Sequence, residues 1–118
     1  MEKHQIKKSL EDLRIEFKEI FRLLDFPLEG LSTQENLKVI SQRYSDLKDR
    51  VNEQLKELER RDRNNELSKD EQAFLLPAIS EVSLHCSASK GSMNKQALSS
   101  SLYDGQDYCS YYSSQINV

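Results

Sequence analysis

"NLKVISQRYSDLKDRVNEQLKELERR", residues 36–61, contains neither glycine nor proline. Apart from Val39, its apolar residues are separated by steps of three and four, which places them on one face of an α-helix. They are Leu37, Ile40, Tyr44, Leu47, Val51, Leu55 and Leu58. The stretch therefore predicts one long amphipathic helix, from about residue 34 to about residue 64, with an apolar face that needs a partner.

A second periodic segment precedes this helix, over residues 3–25. Six of its apolar residues repeat in the alternating four-three pattern of a coiled-coil seam, while Phe21 and Leu23 widen the stripe and Ile15 lies off it. The six are Ile6, Leu10, Leu13, Phe17, Ile20 and Leu24. Between the two segments, "DFPLEGLST" contains Pro27 and Gly30, which favour a turn, and Ser32 or Thr33, either of which can cap the next helix. So short a loop predicts an antiparallel helical hairpin.

A third helix is predicted over residues 69–87. Ser68 and Glu71 have the spacing of a capping box, in which each side chain bonds the backbone N–H of the other. The inner face would carry Phe74, Leu75, Ala78, Ile79, Val82 and Cys86. Pro77 lies inside this segment, so we expect a kink there or, alternatively, a break at which Pro77 begins a new helix.

The composition changes after Cys86, where serine and tyrosine dominate and "SASKGS" resembles a linker. Residues 93–103 can form a short helix, and the following tyrosines fit a helix, a strand or a coil equally well. We therefore predict an all-α fold, made of an antiparallel helical hairpin plus a third helix in a three-helix bundle-like arrangement. Residues 1–87 would form the helical core domain, and residues 88–118 a flexible or loosely packed Ser/Tyr-rich C-terminal tail.

The overall composition favours a soluble cytoplasmic protein with no membrane association. Charged residues make up 31% of the 118 residues, hydrophobic residues 36%, and the net charge is −3. No apolar run approaches the ~20 residues that span a bilayer, and the N-terminal residues lack the apolar region of a secretory signal. Cys86 and Cys109, the two cysteines, are expected to be free thiols in a reducing compartment, with one disulfide as the alternative.

Helix lengths predict where the apolar faces stay uncovered. The third helix starts at the end opposite the hairpin loop and should stop below that loop. The upper groove between the first two helices would then lack a third helix. We expect this groove to be the partner-binding surface, lined by Phe17, Phe21, Leu37, Ile40 and Tyr44. Its occupant would be a protein partner or, in the absence of one, a second copy in a homodimer. The alternative is that Leu98, Leu102 and the tail tyrosines fold back to give a closed monomer.

Few residues are suited to catalysis or metal binding. His4 and His85 are the two histidines, and Glu81 and His85 can share a helical face without completing a metal site. A gly-rich phosphate loop and a Cys-x-x-Cys motif are both missing from the sequence. We therefore expect no enzymatic activity, no cofactor and no metal.

Charged residues cluster near the end of the second helix. A possible basic patch there consists of Lys56, Arg60, Arg61 and Arg63. Neighbouring acids nearly neutralise this patch. The acid-first pairs with i,i+4 spacing are Asp46–Arg50, Glu57–Arg61 and Glu59–Arg63.

These observations predict a small non-enzymatic protein-binding module, of the adaptor, chaperone, inhibitor or immunity type, that acts through an apolar helical groove and self-associates. The alternative is a nucleic-acid-associated regulator that uses the basic helix end. Salt distinguishes the two, because phosphate binding weakens steeply as salt rises whereas binding to an apolar groove changes little. The net negative charge makes nucleic acid the less favoured partner.

Overall fold

The computed structural model describes residues 1–87 and 94–118, except for the side chains of Cys86 and Ser87, and its regular structure there is helical throughout. The α-helices are α1 (Lys3–Arg22), α2 (Thr33–Arg63), α3 (Leu76–Ser87) and α4 (Lys95–Ser114). A π-helical turn (Glu71–Leu75) leads directly into α3. The all-α prediction is confirmed. Across these residues, no helix is both long and apolar enough to cross a membrane.

The loop between α1 and α2 is fixed by Asn36, a buried residue in the first turn of α2. Its Nδ2 donates to the carbonyl oxygen of Leu23 at 3.0 Å, and its Oδ1 accepts from the backbone N–H of Leu28 at 3.4 Å. Ser32 caps α2 by accepting from the N–H of Glu35, and Gly30 has the left-handed φ of 79° that favours glycine. Glu16 of α1 contacts Arg50 of α2, whereas Leu23 contacts Asn36, so the two helices run in opposite directions.

The chain leaves α2 through a turn at Asn64 and Asn65, where these poor helix formers predict the end of the helix. Asn65 has a positive φ of 57°. The N–H of Glu66 bonds the carbonyl of Arg61, and the N–H of Asn65 bonds that of Asp62. This is the Schellman pattern, with asparagine in the left-handed position where glycine is more usual.

The predicted capping box is present at Ser68. Its N–H donates to Oε1 of Glu71, and the N–H of Glu71 donates to Oγ of Ser68, both at 3.1 Å. The irregularity predicted at Pro77 takes the form of a π-helical turn just before it, in which the N–H of Leu76 bonds the carbonyl of Glu71. Proline has no N–H to donate and crowds the preceding turn, and a widened turn accommodates both effects.

The prediction of a tail after residue 88 is wrong for residues 95–114, which form α4. Asn94 caps this helix by accepting from the N–H of Ala97 at 2.8 Å. Its buried residues are Leu98, Ser101, Leu102, Gly105, Cys109 and Ser113. The predicted linker, residues 87–92, lies outside the described residues except for the backbone of Ser87, as does any pairing of Cys86. Cys109 is fully buried in α4.

Small residues allow α4 to pack closely on α1, its most extensive neighbour. They recur every fourth position along one face: Ala97, Ser101, Gly105, Cys109 and Ser113. Gly105 lies against the Phe17 ring, Oγ of Ser113 donates to Glu11 on α1 at 3.3 Å, and Nζ of Lys7 donates to the carbonyl of Ile116 at 3.2 Å. α4 therefore runs antiparallel to α1 and completes a core that spans all four helices.

Candidate functional site

The predicted groove residues come together in space, but most of them are inside the protein. Phe17 and Ile40 are fully buried and Tyr44 is 2% exposed. Phe21 and Leu37 are partly buried against the same core. Leu98 and Leu102 of α4 are fully buried in that core too. The expectation of an open groove along these five residues therefore needs correction, because α4 supplies the additional helix.

The length mismatch behind that expectation is real, and it leaves a smaller opening. His85, near the end of α3, stacks on Tyr108 in the second half of α4. Lys95, at the start of α4, lies instead beside Leu37 and Ile40 near the hairpin loop. α3 therefore ends well below the loop, and α4 alone extends to the hairpin end of the bundle.

A cavity of about 410 Å³ lies where α3 is missing, and we call it the hairpin-end cavity. Its apolar lining residues are Leu24, Pro27, Leu31, Leu37 and Ile40. Its polar lining residues are Asp25, Ser32, Thr33, Asn36 and Lys95. Two of the five predicted groove residues, Leu37 and Ile40, thus line this cavity, while Phe17, Phe21 and Tyr44 do not.

An exposed aromatic side chain stands beside this cavity. Phe26, between the lining residues Asp25 and Pro27, is 69% exposed and lies 5.9 Å from the guanidinium of Arg22. Leu28, two residues further on, is also exposed. The sequence pattern places Phe26 only in the predicted turn before Pro27. The available signal was an aromatic residue in the loop outside both apolar stripes.

The predicted basic patch is largely neutralised by carboxylates. Arg60 contacts Glu57 at 2.6 Å and Glu66 at 3.3 Å, and the hydrogen bond from Arg60 lowers the pKa of Glu57. Lys56 lies 3.7 Å from Glu53. Arg63 is exposed, with no carboxylate partner recorded for it within the described residues.

Arg61, the fourth residue of that patch, pairs with a buried carboxylate instead of an exposed one. Its guanidinium contacts both carboxylate oxygens of Glu71, at 3.0 and 3.3 Å. Glu71 is 1% exposed and also accepts from the Ser68 N–H and lies 3.3 Å from the amino group of Met1. Burial alone would raise the pKa of Glu71, but these bonds outweigh it and lower that pKa to about 2.

Glu81 and His85 lie together, as their spacing predicts. Oε2 of Glu81 is 3.6 Å from Nε2 of His85, an ion pair when the imidazole is protonated. The His85 ring stacks on Tyr108 with centroids 4.4 Å apart and planes 22° apart. Among residues 1–85 and 94–118, no group of three or more metal-ligating side chains is found.

The tyrosines at the end of α4, for which the sequence fits a helix, a strand or a coil, form a helical surface. Tyr111 is 57% exposed and meets Tyr112 edge-on, with centroids 5.1 Å apart. Tyr112 is partly buried, and burial, together with the charge of Glu81, raises its pKa. Tyr108 and Tyr111 border a shallow hollow that Asp107, Ser110 and Ser114 complete.

Comparisons with known proteins add no further constraint: neither a protein-family model, nor a curated protein, nor a solved structure matches the chain.

Proposed function

We propose that this chain is a protein-binding module whose contact surface is the hairpin end, and that a second copy of the chain occupies this surface when no other partner does. The supporting observation is a cavity of about 410 Å³ directly beside Phe26, which is 69% exposed. Aromatic residues that fill pockets contribute much of the binding energy in protein interfaces. The module would act by binding rather than by catalysis.

A two-fold arrangement uses both features at once. In an isologous dimer the same patch contacts itself, so a projection on one copy meets the depression on the other. Phe26 of each copy would enter the hairpin-end cavity of its partner and pack against apolar lining residues such as Leu31 and Leu37. Burial of one phenylalanine side chain is worth about 1.5–3 kcal/mol, and the symmetry doubles that gain.

The charges at the cavity suit the same arrangement. Asp25 and Lys95 both line the cavity, and no ion pair is recorded for either one within the described residues. Around a two-fold axis, Asp25 can face Lys95 of the second copy, and the reciprocal pair forms as well. A patch that carries one acid and one base is therefore complementary to itself, whereas a patch of one sign would repel its copy.

Association through one end of a bundle buries little surface. Interfaces below about 1,200 Å² belong to the weak and transient class. We therefore expect a reversible dimer that forms at high protein concentration, and a larger partner surface would compete with it. Weak self-association of this kind protects an apolar end without blocking a tighter partner.

Sedimentation velocity over a concentration series into the millimolar range tests the proposal. The wild type should sediment faster as concentration rises, while Phe26→Asp should remain monomeric with an unchanged melting temperature. Ile15→Asp is the matched control, because Ile15 is 43% exposed on α1 and does not line the cavity. A wild type that stays monomeric at every concentration, or a Phe26→Asp variant that associates like the wild type, would contradict the proposal.

The nucleic-acid alternative has less support. Three of the four residues of the basic patch lie close to carboxylates, and a patch neutralised in this way attracts phosphate weakly. A filter-binding titration with a duplex and a single strand at low and high salt would reveal phosphate binding by its steep salt dependence.

A further inference from the structure

We propose that the hollow on α4 formed by Asp107, Tyr108 and Tyr111 binds an arginine side chain from a basic segment of another protein. This surface is separate from the hairpin-end cavity and does not depend on the function proposed for that cavity. Asp107, Tyr108, Ser110, Tyr111 and Ser114 line the hollow. Their spacing of three and four residues places them on one outward face of α4.

The aromatic walls of the hollow are held in place from behind. Tyr108 stacks on His85 of α3, and Tyr111 contacts the edge of Tyr112, which is itself packed against the core. Rings fixed in this way lose little conformational freedom when a ligand binds. Tyr111 nevertheless remains 57% exposed, so one of its faces is open to a partner.

The charged residues on this half of α4, Asp104 and Asp107, are both acidic. After Lys69 the sequence contains two lysines, Lys90 and Lys95, and no arginine, and both lysines precede Asp107 by at least twelve positions. His85, which stacks on Tyr108, lies 3.6 Å from the carboxylate of Glu81. On α4, twelve residues correspond to about 18 Å, roughly twice the distance over which physiological salt screens a charge. Asp104 and Asp107 are therefore not offset by a basic residue on their own half of the helix. These two carboxylates attract a cationic ligand to the hollow.

The chemistry of the hollow distinguishes arginine from lysine. A guanidinium group is planar, so it can stack on a tyrosine face while its N–H fork pairs with a carboxylate. Asp107 and Tyr111, one turn apart on the helix, offer a carboxylate and an exposed ring together. A lysine ammonium would gain the charge attraction without the stacking. Leu84, which precedes His85 on α3 and is 65% exposed, offers an apolar contact to the rest of a bound segment.

Calorimetric titration with a capped tetra-arginine peptide, and with tetra-lysine of equal charge, tests this inference. The arginine peptide should bind more tightly than the lysine peptide. Tyr111→Ala and Asp107→Asn should each weaken arginine binding about tenfold or more, which corresponds to about 1.4 kcal/mol. Tyr111→Phe should retain most of the affinity, because the ring is kept.

Tyr103→Ala is the matched control, since Tyr103 is 59% exposed on the same helix but does not line the hollow. Binding to this variant, and to Phe26→Asp, should equal that of the wild type. Equal binding of the two peptides, or an arginine affinity that Tyr111→Ala leaves unchanged, would show diffuse attraction to acidic residues and overturn the proposal. Failure of both peptides to bind would overturn it as well.

Discussion

Gly105 on α4 lies directly against the ring of Phe17 on α1: a Cβ at Gly105 would lie 2.7 Å from Cδ1 and Cε1 of that ring. Phe17 is fully buried, so the ring has no free space to enter. The helix that completes the core can therefore approach only because this position has no side chain.

Gly105→Ala should destabilise the protein. Alanine would gain about 1 kcal/mol of helix propensity, but overpacking of a filled core costs about 1–3 kcal/mol. We expect a net loss of up to about 2 kcal/mol by urea unfolding. The same change in a Phe17→Leu background should cost less, because the smaller side chain leaves room. Equal losses in the two backgrounds would show that the close contact does not limit stability.

Asn94→Ala should lower the stability of the whole protein rather than that of one segment. Loss of a helix N-cap costs about 0.5–2 kcal/mol, and α4 is part of the common core. A single cooperative transition at a lower denaturant midpoint is the expected result. Ser32→Ala, which removes the equivalent cap of α2, should shift the midpoint by a similar amount. An unchanged midpoint in Asn94→Ala alone would indicate that α4 unfolds independently.

Ile40→Asp should unfold the protein instead of only dissociating it. Ile40 is fully buried, and the change removes a core side chain and buries a charge, at a cost of several kcal/mol. Circular dichroism during thermal melting should show a large loss of stability. Phe26→Asp, at an exposed position, should melt like the wild type. A folded Ile40→Asp protein with a normal melting temperature would contradict the closed core.

Glu71→Gln should destabilise the protein at neutral pH but not in strong acid. The folded-state pKa of Glu71 is about 2, below its ordinary value of 4.5. Its stabilising contribution is therefore complete above pH 4.5 and disappears as the pH falls through 2. The difference between these two pKa values corresponds to about 3 kcal/mol. In urea unfolding, the free energies of the wild type and of Glu71→Gln should therefore differ strongly at pH 7 and little near pH 2.

Glu59→Gln serves as the control for that experiment, because Glu59 is exposed on α2. It should change the free energy of unfolding by less than about 0.5 kcal/mol at neutral pH. If Glu71→Gln were equally harmless at pH 7, the contacts of Glu71 with Arg61 and Met1 would not stabilise the fold.

The local sequence pattern was sufficient to predict the elements that bury large side chains. The stripe from Leu37 to Leu58 predicted α2, and the spacing of Ser68 and Glu71 predicted the capping box. The capping box depends on interactions within a few residues. The α2 stripe depends on a periodicity that requires only one apolar neighbour. α4 was predicted only in part, as a short helix over residues 93–103, because its packing face consists of small residues such as Ser101, Gly105 and Ser113. Such residues support a core only through the close approach of another helix, which hydropathy does not reveal.

The ion pairs of two arginines were likewise decided by the tertiary structure and not by local spacing. Sequence spacing suggested Asp46 for Arg50 and Glu57 for Arg61, whereas these arginines contact Glu16 and Glu71. Those partners come from other segments, and Arg61 gains more from a buried carboxylate than from an exposed one.

By itself, the sequence determined the all-α class and the capping box at Ser68, because these depend on backbone preferences and on the period of the helix. Only the tertiary structure decided that α4 covers Phe17, Ile40 and Tyr44, and that the remaining opening lies beside Phe26. The physical reason is that burial is a property of pairs of surfaces. The apolar residues of a single helix indicate that its face must be covered. The shape and spacing of its neighbours decide what covers it and where a gap is left for a partner.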